Sequence, residues 1–171
     1  MLKIVGSLMV ISCCTLIGIG FASGLKTRAK SLNGLISALS IMKSEICDLL
    51  TPMPELLVMM SEQSSGPVKQ FFLNCIDHMN SGQTIVFSKA WEYAARETSS
   101  MQISPDEILA LCELGFSLGR YDVEEQRTAI TRTERKLEGY LARSEAERMS
   151  KGKVCAAMGI SAGLMIAIIM I

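Results

Sequence analysis

From Leu25 to Leu50 apolar residues return every three or four positions, at Leu32, Leu35, Ile36, Leu39, Met42, Ile46, Leu49 and Leu50. That spacing predicts one amphipathic helix with a single buried stripe. The run "TPMP" (Thr51 to Pro54) ends it, because proline lacks an amide donor and restrains the residue before it. Beyond it "PELLVMMSEQ", "PVKQFFLNCIDHM" and "TIVFSKAWEYAARE" predict three shorter helices, with "SSGP" as punctuation. Phe71, Phe72, Phe87 and Trp91 are their core aromatics, and Met42, Met53, Met59 and Met60 fill gaps between them. "SPDE" then predicts a helix start, with Ser104 as N-cap, Pro105 in the first turn and Glu107 completing a capping box. That helix stops at Gly119. A last helix opens at Asp122 and carries Val123, Ile130 and Leu137 on one side, with Gln126, Thr133 and Tyr140 beside them. Arg143, Glu147 and Lys151 mark its exposed face. No period-two alternation competes anywhere, so the fold class is all-α, a bundle of about six helices.

Both ends of the sequence break the amphipathic rule. Val154 to Ile171 and Ile4 to Leu25 contain no charged residue. A helix of roughly 18 to 20 such residues crosses a hydrocarbon core of about 30 Å. These runs predict an N-terminal transmembrane anchor (1–25), a helical bundle (26–153) and a C-terminal transmembrane helix (154–171), the first and last bundle helices extending into the spans. A cleaved signal peptide is the rival reading of the first run, since "GFASG" offers small residues at a cleavage point. The mean hydropathy of +0.33 reflects these two ends.

Charge sets the orientation. The formal net charge is zero, with 17 basic and 17 acidic residues. Lys26, Arg28 and Lys30 flank the first run and Arg143, Arg148, Lys151 and Lys153 the second, while the outer side offers Lys3. The positive-inside rule therefore places the bundle in the cytoplasm and both termini across the membrane. The six cysteines include no CxxC pair, and Cys47, Cys75 and Cys112 sit singly on apolar stretches, as small buried hydrophobes.

Little here points to catalysis. The single histidine, His78, falls at a helix end, and Ser88 and Lys89 are adjacent in a helix, where neighbours point apart. No phosphate-binding glycine loop or HExxH motif occurs, and no basic patch carries interleaved aromatics. The expectation is a non-enzyme with no cofactor, metal, nucleic acid or small-molecule substrate.

"ALSIMKSEICDLLTPMPELL", followed far downstream by "LGFSLGRYDVEEQ", resembles the stage III sporulation protein AB family. The resemblance rests on Glu45, Pro52, Pro54, Leu118, Gly119, Asp122 and Gln126, with Trp91 between them, and extends over essentially the whole chain. It implies a multi-pass membrane subunit of the channel between mother cell and forespore, set in the mother-cell membrane around the forespore. It also implies kinship with the cytoplasmic domains of type II secretion and type IV pilus platform proteins, which are helical bundles that dock a secretion ATPase. The implied partners are the sporulation ATPase of the same complex, other channel subunits and the lipid bilayer. A membrane-anchored regulatory adaptor outside the channel is the alternative. Platform proteins repeat the domain; this chain holds one copy.

Three sets of residues are candidates for function. Gly20 and Gly24 in one run, and Gly159 and Gly163 in the other, are four apart and give each span a small-residue face for helix packing. Gln126 shares the stripe of Val123 and Ile130, so its buried amide needs partners, with Glu45 and the backbone around Gly119 as candidates. "GRYD" makes a tight corner in which Arg120, Tyr121 and Asp122 have the composition of an interface hot spot. Arg120→Ala combined with Tyr121→Ala should abolish ATPase recruitment and block sporulation while circular dichroism and melting stay unchanged. Normal sporulation at normal abundance would reduce the corner to a turn.

Overall fold

Six α-helices follow one another: α1 (Leu2–Cys47), α2 (Met53–Gln63), α3 (Gly66–Asn80), α4 (Phe87–Glu97), α5 (Pro105–Ser117) and α6 (Val123–Met170), with a 3-10 turn at Ser99–Met101 before α5. The computed structural model describes the backbone of residues 2–81, 86–119 and 122–170, and the side chains of residue 24 and of residues 26–81, 86–119 and 122–147. Among the described residues there is no strand.

α1 and α6 pack along each other with opposite directions. Asp48 meets Arg127 at 2.8 Å and Lys43 meets Glu134 at 2.6 Å, while the Glu147 charge acts on Arg28 further along. As numbers fall on α1 they rise on α6. Behind this pair, α2, α3, α4 and α5 are stacked so that each packs on its neighbour in sequence, and α5 returns to α6. Lys136 to Glu113, at 2.6 Å, ties that last contact.

The stripe on α1 is buried at Leu32, Leu35, Leu39, Met42 and Ile46. On α6 Ile130 and Leu137 are fully buried, and Gln126 and Thr133 lie among them. Each large apolar side chain removed from water in this way contributes roughly 1.5–3 kcal/mol. Met42 and Met60 are in the core, with Met53, Met59 and Phe87 packed against it. The centre is aromatic: Phe71 meets Trp91 edge-on at 4.8 Å between ring centroids, and Phe72 and Phe87 complete the cluster at 6.2 and 5.6 Å. Trp91 Nε1 donates to the Leu111 carbonyl at 2.8 Å, which fixes the indole in place.

Three boundaries differ from the periodic reading. The α1 stripe stops short, because the helix ends at Cys47 and Leu49 and Leu50 are both 66 % exposed. α4 begins at Phe87 with Val86, expected within the helix, as its N-cap; residues 82–85 lie outside the described residues. The 3-10 turn buries Met101 between two helices where no separate element was expected. Among the described residues no helix is long and apolar enough to cross a membrane. The expected spans 4–25 and 154–171 lie, residue 24 apart, outside the described side chains. The backbone of α1 and of α6 is nonetheless one continuous helix in each case.

Gly115 on α5 is required by Trp91. A Cβ at that position would sit 2.8 Å from Trp91 Cγ and closer still to Cδ1, against a ring held by its hydrogen bond. Gly115→Ala should therefore destabilise the bundle by about 1–3 kcal/mol, the usual cost of overpacking. Thermal melting of the detergent-solubilised chain tests this; an unchanged midpoint would mean the indole yields freely.

Candidate functional site

The end of the bundle far from Leu2 and Met170 is built from two connections. One is the turn between α1 and α2, the other the corner between α5 and α6. They meet because α1 ends where α6 begins: Cys47 Sγ lies 3.7 Å from the Val123 carbonyl, and Arg127 bridges Asp48.

The α1–α2 turn is held from inside. Leu49 N donates to the Ser44 carbonyl at 3.2 Å, and Thr51 N donates to the Glu45 carbonyl at 2.9 Å. Thr51 Oγ1 also donates to Glu45 Oε2 at 2.7 Å, so this carboxylate closes the turn. The result forces Leu50 into the left-handed region at φ 56°. For a residue with a Cβ that conformation costs roughly 1–2 kcal/mol. Leu49 and Leu50 thus project from a strained, tied turn.

The α5–α6 corner follows the capping logic of its sequence. The box at the start of α5 is complete, since Glu107 N donates to Ser104 Oγ and Ser104 N to Glu107 Oε2. α5 ends with Leu118 N donating to the Leu114 carbonyl, and Gly119 takes φ 76°, where glycine escapes the strain that other residues meet. Asp122 is exposed and its Oδ1 accepts from Glu125 N at 2.8 Å, capping α6. Arg120 and Tyr121 lie outside the described residues. Gln126 is 9 % exposed and its Oε1 accepts from Gly119 N at 3.3 Å. Of its two expected partners the Gly119 backbone is therefore in place, while Glu45 is engaged by Thr51.

Charge at this end is mostly negative. Asp48, Glu55, Asp122, Glu124 and Glu125 are exposed. Arg127 answers Asp48 and, at 3.6 Å, Glu124. Hydrogen bonds from Arg127 first and Ser44 second hold Asp48 below the ordinary carboxylate range. Such a group adds stability at neutral pH that is lost as pH falls through its lowered pKa, a small effect at an exposed site.

At the opposite end one buried ion pair was not foreseen. Arg28 Nε donates to Glu107 Oε1 at 3.1 Å and its Nη2 to the same carboxylate, whose residue is fully buried. This hydrogen bond, more than the surrounding charges, pushes the Arg28 guanidinium above its ordinary value. Sequence spacing placed Glu107 in a cap and Arg28 among flanking cations. Their separation along the chain left no periodic signal of contact. Nearby, the close approach at Gly24 comes from Gln102, whose Oε1 would lie 3.2 Å from a Cβ there. Gly20, Gly159 and Gly163 lie outside the described side chains.

The remaining candidates take ordinary places. His78 Nε2 pairs with Glu97 Oε2 at 2.8 Å, and its ring leans on Tyr93. Ser88 is buried while Lys89 turns outward to Glu92, so the two do not form a dyad. Cys75 and Cys112 are buried free thiols, and burial pushes both upward. Among the described residues no group of three or more His, Cys, Asp or Glu side chains could hold a metal ion.

The geometry defines a class: an all-helical bundle whose first and last helices run on as long antiparallel stems from one end, with an acidic, apolar-tipped surface at the other. The family model described as stage III sporulation protein AB (spore_III_AB) matches residues 3–171, and the chain belongs to that family. A solved structure of "Stage III sporulation protein AB (SpoIIIAB)" shares the fold, with a TM-score of 0.66 and 23 % identity over 72 % of this chain and 98 % of that one. No curated protein matches the chain.

Gln126 gives the corner its testable feature. Gln126→Leu removes the acceptor for Gly119 N in a mostly buried setting, which should cost about 1–3 kcal/mol. A melting midpoint equal to wild type would show that solvent replaces the amide without loss.

Proposed function

We propose that the chain is a non-catalytic membrane platform subunit of the channel between mother cell and forespore, docking a secretion-type ATPase from the cytoplasm. The observation that carries this reading is the antiparallel α1–α6 pair. It sends the two uncharged sequence runs toward one end and leaves the α1–α2 turn and the α5–α6 corner at the other. Membership in the sporulation family supports the setting. The flanking cations Lys26, Arg28, Lys30, Arg143, Arg148, Lys151 and Lys153 support an orientation with the bundle inside and both termini outside. The two spans pack together or self-associate through the small-residue faces at Gly20 and Gly24 and at Gly159 and Gly163, and other channel subunits are further partners. Among the described residues of the site no nucleophile stands beside a base, and in this reading the bundle serves by position and contact.

The experiment is a topology test joined to a capture. An export-dependent reporter fused after Ile171 should be active in sporulating cells, and the full chain should co-purify with the sporulation ATPase and other channel subunits. Activity of a cytoplasm-only reporter at Ile171 would overturn the orientation. Capture of unrelated regulatory partners in place of the ATPase would favour an adaptor outside the channel.

A further inference from the structure

The apex of the α1–α2 turn is costly as built. Leu49 and Leu50 each leave two-thirds of their surface in water, and Leu50 does so from a backbone conformation that favours glycine or asparagine. A turn selected only to reverse the chain would carry one of those residues. Instead Glu45, Ser44 and Thr51 lock the backbone by three hydrogen bonds, so both leucines are presented on a rigid base. Strain held at an exposed apolar apex is the pattern of a preorganised contact.

We propose that Leu49 and Leu50, with the acidic rim of Asp48, Glu55, Asp122, Glu124 and Glu125, form the docking surface for a partner protein presenting basic side chains around an apolar pocket. This deepens the reading of the bundle as a docking platform and rests on it. Charge selects among occupants. Among the described residues of this end Arg127 and Arg132 oppose five exposed carboxylates; Arg127 is shared between Asp48 and Glu124, and Arg132 lines one groove with Asp122, Glu124 and Glu125. A second copy meeting tip to tip would set like charges together, and an anionic lipid surface would be repelled in the same way. A basic protein face gains from both, with the leucines as central anchors and the carboxylates as rim. The place fits as well, since the tip lies at the end opposite the uncharged runs, where a cytoplasmic protein has free access.

The test uses the full chain in nanodiscs of zwitterionic lipid, with the purified sporulation ATPase as probe. Leu49→Ser with Leu50→Asn should weaken binding at least tenfold while the melting midpoint stays equal or rises, because asparagine accepts the left-handed turn. Glu55→Lys with Glu125→Lys should weaken it similarly and flatten its salt dependence. Leu109→Ser, an exposed leucine on α5 away from the tip, should change nothing. Wild-type binding by both tip variants would overturn the proposal, as would binding lost together with a lowered midpoint in the leucine variant. If the ATPase does not bind the wild-type chain at all, the ATPase reading fails and a photoreactive residue at Leu50 in sporulating cells decides the surface. Adducts to a basic-faced protein that vanish on Glu55→Lys with Glu125→Lys support it. Adducts to a second copy or to lipid, or no adduct, sink it.

Discussion

The antiparallel seam between α1 and α6 is the constraint on which the rest of this molecule depends. Its stability is apolar, from Leu32, Leu35, Leu39 and Met42 on α1, which share one buried core with Ile130 and Leu137 on α6. Its register is electrostatic. Asp48 opposes Arg127 and Lys43 opposes Glu134. Sliding the helices by about two turns one way would set Lys43 against Arg127, and the other way Asp48 against Glu134. The exposed Asp48–Arg127 pair is worth at most about 1 kcal/mol and Lys43–Glu134 is partly buried, yet a slip would lose both and create repulsion. The correct register therefore wins by more than its own contacts. Everything at the far end inherits that choice, because the α1–α2 turn meets the α5–α6 corner only when Cys47 lies beside Val123.

How much of this was legible in the sequence depended on whether the signal was local. Helix starts and stops governed by caps read directly: Ser104 with Glu107, Gly119 at positive φ, and Asp122 on Glu125 all follow from chemistry within a few residues. The core faces of α1 and α6 read as well, since burial imposes the 3.6-residue period. The α1 stripe misled at its end for the same reason. Leu49 and Leu50 continue the spacing, but Thr51 and the prolines pull the backbone out of the helix before they can turn inward. What stayed hidden was contact between distant segments. Arg28 with Glu107, and Gly115 against Trp91, depend on how helices cross, which no single periodicity encodes.

Arg28 and Glu107 show how the two ends of the bundle are related. Glu107 is fully buried and accepts from its own N-cap as well as from the guanidinium. A buried pair of this kind adds little net stability, but losing one partner strands the other charge, so the pair enforces a specific arrangement. It ties the start of α5 to α1 at one of the flanking cations, and the end of α5 is tied to α6 through Gly119 and Gln126. α5 thus runs as a strut from the base of the bundle to its tip. Rotation of α1 at its base must carry the start of α5 with it, and through the rigid helix and Gly115 it presses on Trp91 and the aromatic centre. Close-packed interiors do not absorb such motion smoothly. Displacement of α1 at its base is therefore coupled to the aromatic centre through α5.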